Sequence, residues 1–200
     1  MITAFIRRNN MNIRDLIIRN RSCRRFRQAE KISAEVLEEL VDLARLSPSG
    51  GNKQPLKYYV TSRPEENSRI FPTLSWAGYI RDWTGPEEGE RPAAYIIILH
   101  DTGISEKPGV DHGIAAQSIL LGAVERGIRG CIIGSVDRDR LQGELGIDER
   151  YGILLVISLG FPAEQAVIEE VGSGGDIKYW RAEDGVHHVP KRSLDEIIIN

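Results

Sequence analysis

Two continuous apolar stretches constrain the fold of this chain more than any other feature. Residues 93–100 read A-A-Y-I-I-I-L-H, and residues 153–159 read I-L-L-V-I-S-L. Apolar runs of this length without alternation are typical of strands that are covered on both faces of a sheet. We therefore predict that both stretches are central strands of a buried sheet. Residues 58–61 and 130–136 are predicted as further strands.

The segments around these strands have the periodicity of helices. One predicted helix begins after Ser33, a good N-cap, and ends before Ser47-Pro48. A second, residues 111–126, is apolar on nearly all sides, so we expect it to be buried within the domain or between subunits, with Asp111 as its cap. Shorter helices are predicted at 13–20 and after Asp137. Strands that alternate with helices predict one α+β or α/β domain.

Residues outside these elements are predicted as arms and loops. Residues 1–12 are expected to form a loose N-terminal arm, and residues 64–92 a partly helical excursion. Residues 163–190 are expected to be irregular. Nothing in the pattern divides the chain, so residues 1–200 are predicted to form a single domain.

A cluster of arginines is the first candidate functional feature. Residues 19–27 contain five arginines and Ser22, and Lys191-Arg192 adds a second basic pair near the other end of the chain. The guanidinium fork and a hydroxyl group suit a phosphate, whereas a solvated basic face is the alternative interpretation. The net charge of −3 argues against a general polyanion binder. Only the fold could bring the two basic segments together.

The second candidate feature is the stretch 47–55, S-P-S-G-G-N-K-Q-P. A turn that ends a helix explains its proline and glycines. It does not require Asn52 and Gln54, whose side-chain amides each carry a donor and an acceptor. Such groups can bind the edge of a flat heterocycle.

Several other chemistries lack their sequence signatures. No G-x-x-x-x-G-K-[ST], G-x-G-x-x-G or G-x-S-x-G motif is present. Cys23 and Cys131 form no C-x-x-C pair, and Cys23 is interpreted as a packing residue. His187-His188 lacks further ligands at suitable spacing, so no metal is predicted.

Composition and hydropathy exclude further partners. An aromatic content of 6% offers little for stacking on nucleic acid bases, and we predict no nucleic acid partner. No apolar run is long enough for a signal peptide or a membrane span, so a cytoplasmic protein is expected. Arginines for a phosphate and amides for a heterocycle, without an evident acid, base or metal, indicate that a bound cofactor carries the chemistry.

Four segments together resemble the nitroreductase family of flavin enzymes. They are 21–26 (R-S-C-R-R-F), 47–55, 130–134 (G-C-I-I-G) and 190–194 (P-K-R-S-L), in the order of the family. The resemblance extends over residues 13–200. It implies an α+β fold with a central, mostly antiparallel sheet surrounded by helices. It also implies an intertwined homodimer in which residues 190–200 form an arm that crosses to the partner.

The same resemblance implies FMN as the cofactor, bound at the subunit interface. Arg21, Ser22 and Arg24 would hold its phosphate and ribityl end, assisted by Lys191 and Arg192. The residues expected near the ring are Pro48, Ser49, Gly50, Asn52 and Gln54, in this family commonly from the partner subunit, with backbone groups of Ile133 and Gly134 near the flavin N5. Asn20 and Leu56 depart from the family pattern, which often has arginine and tryptophan there.

The activity implied is reduction of nitroaromatics, quinones or related acceptors with NADH or NADPH, by hydride transfer through FMN N5. No side chain is assigned as a catalytic acid or base. Residues 74–91 would form the variable lid that controls access of the acceptor. Two alternatives remain open at this stage. One is a flavin-dependent dehalogenase or flavin-cleaving enzyme on the same fold, and the other is a flavin-binding or basic interaction protein without catalysis.

Overall fold

A computed structural model of the chain describes residues 11–80, 83–172 and 174–199. Most of the predicted N-terminal arm, residues 1–10, lies outside the described residues, as do residues 81 and 82 of the predicted lid. No helix in the described ranges is both long and apolar enough to cross a membrane.

The centre of the fold is an antiparallel sheet of four strands in the order β1-β2-β4-β3. The strands are β1 (Leu56–Thr61), β2 (Ala94–Asp101), β3 (Arg129–Ile133) and β4 (Tyr151–Gly160). The two long apolar stretches are the neighbouring middle strands β2 and β4, and Ile96 pairs with Ile157. Every residue of β2 is buried. The predicted central, mostly antiparallel sheet is therefore confirmed.

Six helices surround this sheet within the described residues. They are α1 (Ile13–Arg19), α2 (Ala34–Arg45), α3 (Pro64–Ile70), α4 (Asp111–Glu125), α5 (Arg138–Leu145) and α6 (Leu194–Ile197), with short 3-10 turns at Gly50–Asn52 and Phe71–Thr73. Ser33 caps α2 by accepting from the amide of Val36, and Asp137 caps α5, as predicted. Local capping signals therefore located these helix ends correctly.

The prediction that Asp111 caps α4 is wrong. The residue before the helix is Val110, which makes no side-chain cap. Asp111 is the first residue of the helix, and its buried carboxylate accepts hydrogen bonds from the loop that follows α2. Aspartate is common both at the cap and in the first turn, where it also complements the helix dipole. The sequence pattern does not separate these two positions.

The core lies on both faces of the central sheet. On one face, α2 and α4 cover side chains such as Ile96, Ile98 and Leu159. On the other face, residues from α3, α5 and the segment after α3 cover Tyr95, Ile97 and others. Burial of each large aliphatic side chain contributes about 1.5–3 kcal/mol relative to leaving it exposed. This double coverage explains why β2 has no polar alternation.

A second sheet of three strands occupies the region predicted as irregular. Its strands are β5 (Ala166–Val171), β6 (Trp180–Arg181) and β7 (His187–Arg192), in the order β5-β7-β6. β5 and β7 are parallel. β5 carries Glu169 and Glu170, and β7 carries Lys191, Arg192 and Pro190, so neither has the continuous apolar run or the regular alternation that predicts a strand. This sheet forms because β5 pairs with β7, a separate segment of the chain. The sequence near each strand does not reveal such pairing.

Candidate functional site

The arginine segment is fixed along the edge of the central sheet. The amide of Cys23 donates to the Gly130 carbonyl of β3 at 3.0 Å, and the amide of Arg27 donates to Phe161 at 2.8 Å. Phe26 is fully buried and lies against Gly160, where an added Cβ would stand 2.9 Å from the Phe26 Cβ. Phe26 therefore anchors the segment and holds the residues before it at the sheet edge.

Beside this segment lies a cavity of about 250 Å³, which we call the Arg24 cavity. Its polar lining residues are Asn20, Arg21, Ser22, Arg24, Gln117, Tyr179, His187 and Lys191. The fold thus brings Lys191, near the C-terminal end, to the arginine segment near the N-terminal end. Strand β7, which the sequence did not predict, carries Lys191 to this position.

Arg24 is the most buried cation of this cavity, with 8% of its surface exposed. Its Nη1 lies 3.3 Å from Nε2 of His187, and its guanidinium lies over the Tyr179 ring at 4.8 Å. Because arginine has only donors, Nε2 of His187 must accept, which places the imidazole proton on Nδ1. Burial, reinforced by the nearby Arg24, lowers the pKa of His187 to about 4. His187 is therefore neutral near pH 7, and the charge of Arg24 is left uncompensated.

The backbone at Arg24 is held by a carboxylate that the sequence did not reveal. Glu164 Oε1 accepts from the amides of Arg24 at 2.5 Å and Arg25 at 3.3 Å. Its Oε2 accepts from Arg181 at 2.9 Å, and its side chain is only 2% exposed. A lone glutamate in a segment predicted as irregular carries no local signal for this role.

Other arginines of the cluster do not reach the Arg24 cavity. Arg25 forms a bidentate pair with Glu90 at 2.6 and 2.5 Å, and Arg27 pairs with Glu30 at 2.9 Å. Arg192, one of the expected FMN ligands, has an exposed side chain that pairs with Glu196 and does not line the cavity. Ion pairs within the chain thus separate the structural arginines from Arg21 and Arg24.

The loop after α2 has a tightly bonded internal geometry. The Ser49 hydroxyl donates to Asp111 Oδ2 at 2.6 Å, and the Gly50 amide donates to Oδ1 at 3.0 Å. The Ser49 oxygen accepts from the Gln54 amide at 2.9 Å. Asn52 (φ 53°) and Gln54 (φ 51°) adopt left-handed conformations, which for residues other than glycine cost about 1–3 kcal/mol each. The bonds around Asp111 offset this strain.

The two amides of this loop retain free groups. Gln54 Nε2 donates to Asn52 Oδ1 at 3.1 Å. Across the described ranges, neither Asn52 Nδ2 nor Gln54 Oε1 has a hydrogen-bond partner, and both residues are exposed. The loop therefore presents a free NH2 group and a free carbonyl oxygen to its surroundings, which are the types of group that can bind a heterocycle edge.

A second cavity of about 210 Å³ lies at this loop, and we call it the Ser49 cavity. Pro48, Ser49, Gln54, Leu56 and Asp111 are among its lining residues, whereas Gly50 and Asn52 are not. It meets α4 at Asp111 and Ala115, whereas the Arg24 cavity meets α4 at Gln117 and Leu120. In a helix with 3.6 residues per turn, the direction of Asp111 and Ala115 differs from that of Gln117 and Leu120 by roughly 200°. The two cavities thus lie on opposite faces of α4 in one chain.

Ile133 and Gly134, whose backbone groups were expected near the flavin N5, line neither cavity. The side chain of Ile133 is 4% exposed and belongs to the core that contains Tyr95 and Ile97, on the second face of the central sheet. Gly134 is exposed, and its carbonyl accepts from Arg138 at 3.1 Å. Ile132, which was not expected, lines the Arg24 cavity with 41% of its surface exposed.

The predicted lid lies partly against the second sheet. The rings of Tyr79 and Tyr179 are 5.0 Å apart, and Arg181 lies over the ring of Trp83 at 4.8 Å. Tyr179 also contacts Arg24, so the lid is one aromatic ring away from the Arg24 cavity.

The adjacent histidines diverge in the structure. His187 is buried at the Arg24 cavity, whereas His188 pairs with Glu169 and stacks on Trp180 at 4.7 Å. Within the described ranges, no group of three His, Cys, Asp or Glu side chains is arranged to hold a metal ion.

Comparison with known proteins identifies the family. The family model described as "Nitroreductase family" matches residues 17–161. The chain belongs to the nitroreductase family. A relative from Methanothermobacter thermautotrophicus, provisionally named NADH dehydrogenase/NAD(P)H nitroreductase, is 28% identical over 163 residues, which cover 78% of this chain and 80% of the relative.

Solved structures share the nitroreductase fold. A nitroreductase family protein from Streptococcus pneumoniae has a TM-score of 0.68 at 17% identity, covering 94% of this chain and 100% of that one. An FMN-dependent nitroreductase from Clostridium difficile has a TM-score of 0.62 at 22% identity, covering 75% and 87%. The NADPH:FMN oxidoreductase of Vibrio harveyi, solved with NAD⁺, has a TM-score of 0.59 at 22% identity, covering 74% and 67%. The predicted family and α+β fold are confirmed.

Proposed function

We propose that this nitroreductase-family chain is an FMN-dependent oxidoreductase that uses NADH or NADPH to reduce nitroaromatic, quinone or related acceptors. The observation that carries the proposal is the Arg24 cavity, where Arg21, Arg24 and Lys191 meet beside the Ser22 hydroxyl. None of these three cations forms an ion pair with the described residues. The names of the relatives, which include FMN and NAD(P)H, support the same cofactors.

The residues present fit the phosphate end of FMN. A phosphate monoester carries about two negative charges, and the three cations Arg21, Arg24 and Lys191 are sufficient to neutralise it. Arg21 also has a buried Nε without a partner in the described residues. The volume of about 250 Å³ is below the roughly 300–1,000 Å³ typical of pockets that enclose a whole ligand of this size. The Arg24 cavity is therefore suited to part of FMN.

The second part of the site is proposed to come from a partner subunit. The Ser49 loop offers amide groups for a heterocycle, but it lies across α4 from the Arg24 cavity of its own chain. A homodimer can place the loop of one chain at the Arg24 cavity of the other. Exposed apolar side chains support a subunit interface, among them Ile13, Ile17 and Ile18 of α1 and Leu194, Ile197 and Ile199 near the C-terminal end.

Binding and orientation are the roles of the protein side chains in this proposal. Arg24 and Lys191 would neutralise the phosphate, and Ser22 would donate a hydrogen bond to it. Glu164 and His187 would hold Arg24 in place. Asn52 and Gln54 would contact the edge of the ring. FMN, when bound, would supply hydride acceptance from the nucleotide and electron delivery to the acceptor. The lid residues 74–91 would limit which acceptors approach.

An absorbance experiment tests the proposal. The purified protein is mixed with FMN, desalted, and then treated without oxygen with NADH or NADPH. We expect a retained flavin band that at least one nucleotide bleaches, followed by recovery of the band on addition of a quinone or nitroaromatic. A retained band that neither nucleotide bleaches would contradict the reductase and favour a dehalogenase, a flavin-cleaving enzyme or a flavin carrier. A colourless protein would contradict flavin binding.

A further inference from the structure

A third cavity lies on the other side of the arginine segment from the Arg24 cavity. It has a volume of about 210 Å³ and is lined by three arginines, Arg19, Arg21 and Arg129, together with Cys23 and Glu164. We call it the Arg129 cavity. It shares only Arg21 with the Arg24 cavity. Ser22 and Arg24 line one cavity and Cys23 lines the other, as expected when successive residues of an extended segment face opposite sides.

The positive charges of the Arg129 cavity have no counterpart in the described part of the chain. Arg19, Arg21 and Arg129 form no ion pair there, and the hydrogen bonds of the latter two go to the backbone carbonyls of Ile17 and Ile128. By contrast, the similarly half-buried Arg126 and Arg181 each have a carboxylate partner, Glu39 and Glu164 respectively. Among the described residues, buried or half-buried arginines without a carboxylate partner are therefore found at this cavity and at the adjoining Arg24 cavity.

Neither of the other ionisable groups at the cavity compensates for these charges. Both oxygens of Glu164 are used by the amides of Arg24 and Arg25 and by Arg181. Burial, with a smaller contribution from Glu164, raises the pKa of Cys23 to about 12, so this thiol is neutral. Burial lowers the pKa values of Arg21 and Arg129, and Arg19 lowers that of Arg129 further. The negative charge of a bound anion would offset both the cost of burying these guanidinium groups and the repulsion between Arg19 and Arg129.

We propose that the Arg129 cavity binds a phosphate-type oxyanion at a site separate from the proposed flavin phosphate site. Guanidinium forks are suited to the several oxygens of such an anion and bind them bidentately. The volume is about seven times the roughly 30 Å³ that one water occupies in the liquid, which suits one phosphate group with its waters and not a whole nucleotide. The anion has two candidate sources, free phosphate or a phosphate group that projects from the dinucleotide electron donor.

The test compares FMN-loaded wild type with two variants that each lose one positive charge. Arg129→Gln alters the cavity, and Arg140→Gln is the matched control, because Arg140 is exposed on α5, pairs with Glu144 and lines none of the three cavities. Sodium phosphate replaces sodium chloride at constant ionic strength, and the melting temperature is recorded. We expect wild type and Arg140→Gln to be stabilised, whereas Arg129→Gln should need about tenfold or more phosphate for the same shift.

Two results would overturn the second site. One is a phosphate response in Arg129→Gln equal to that of the control. The other is loss of FMN on desalting in Arg129→Gln but not in Arg140→Gln, because the cavity would then be part of the flavin phosphate site. If wild type retains no FMN, the proposed function is contradicted, but the phosphate site can still be tested. The titration is then run on Arg24→Ala, which lacks the other cavity's central cation, with and without Arg129→Gln.

Kinetics with the two nucleotides distinguish the sources of the anion. If the phosphate belongs to the donor, Arg129→Gln should raise the KM for NADPH about tenfold and leave the KM for NADH within twofold, because only NADPH carries the extra phosphate. If free phosphate is the ligand, both KM values should match the control while the phosphate response is still lost.

Discussion

The carboxylate of Asp111 accepts a 2.6 Å hydrogen bond from the hydroxyl of Ser49, across 62 positions of the chain. The same carboxylate accepts from the Gly50 amide, so the first turn of the longest helix fixes the loop that carries Asn52 and Gln54. The position of the proposed ring-binding groups therefore depends on a residue of α4, outside the loop that carries them.

Asp111→Ala should loosen the Ser49 loop. Removing a buried acceptor with two partners costs about 1–3 kcal/mol of unfolding free energy, and the strained conformations of Asn52 and Gln54 lose their support. We expect a lower urea midpoint and weaker FMN binding by about tenfold. The control is Glu149→Ala, at an exposed carboxylate without a side-chain hydrogen bond in the described residues. Equal FMN affinity in the two variants would contradict the role of Asp111.

Arg24→Ala should weaken the binding of FMN far more than that of riboflavin. A charge-assisted hydrogen bond contributes about 1.5–3 kcal/mol, so the Kd for FMN should rise about 10- to 100-fold. Riboflavin lacks the phosphate, and its Kd should change little. Arg27→Ala is the control, because Arg27 pairs with Glu30 away from the cavity. Fluorescence quenching of both flavins gives the comparison, and an equal loss for both would refute a phosphate contact.

The stability of the protein should fall as the pH drops below about 6.5, partly through His187. Its pKa is about 4 in the folded chain because of burial first and Arg24 second; Arg181 and His188 lower it slightly further, whereas Glu164 opposes the shift. The unfolded chain, with a histidine pKa near 6.5, therefore binds more protons between these values. The stabilisation is complete above pH 6.5 and is lost as the pH falls through 4.

Through this difference in proton binding, the free energy of unfolding should be about 2 kcal/mol lower at pH 5 than at pH 7. His187→Gln keeps an acceptor for Arg24 but cannot be protonated. Its unfolding free energy should therefore change about 2 kcal/mol less than that of wild type between pH 7 and 5. His188→Gln serves as the control at the neighbouring, more exposed histidine. Parallel pH profiles for wild type and His187→Gln would show that His187 does not titrate as inferred.

The two cysteines should resist alkylation in the folded protein. Cys23 and Cys131 are each 4% exposed, and burial raises the pKa values of both thiols. Because the thiolate is the reactive form, iodoacetamide at pH 8 should modify neither until denaturant is added. Mass spectrometry before and after denaturation measures this. Rapid modification of native Cys23 would indicate an exposed, activated thiol.

Two glycine-to-alanine substitutions should have opposite effects. A Cβ at Gly122 of α4 would collide with Leu43 and stand 3.1 Å from Leu40, so the variant should lose about 1–3 kcal/mol. Gly143 of α5 has nothing within 4 Å of an added Cβ, and alanine there should gain about 0.5–1 kcal/mol. Urea unfolding of both variants provides the measurement. A stable Gly122→Ala protein would mean that α2 and α4 can separate without penalty.

Sequence patterns captured the elements whose cause is local. The apolar runs of β2 and β4 and the caps at Ser33 and Asp137 depend on residues within a few positions of one another. The missed features depend on distant partners. Glu164 accepts hydrogen bonds from Arg24 and Arg25, which lie 140 and 139 positions earlier in the chain. Segment β5 is a strand because it pairs in parallel with β7. The roles of the expected FMN-binding residues remain predictions, although four of them, Arg21, Ser22, Arg24 and Lys191, meet at one cavity.

The position of the Arg24 and Ser49 cavities on opposite faces of α4 has a consequence for measurements on dilute samples. If a cofactor needs one surface from each of two chains, it can bind tightly only to the dimer. Its apparent affinity then depends on protein concentration, and the cofactor in turn favours association by mass action. Flavin release and subunit dissociation should accordingly occur together on dilution, as a single concentration-dependent equilibrium.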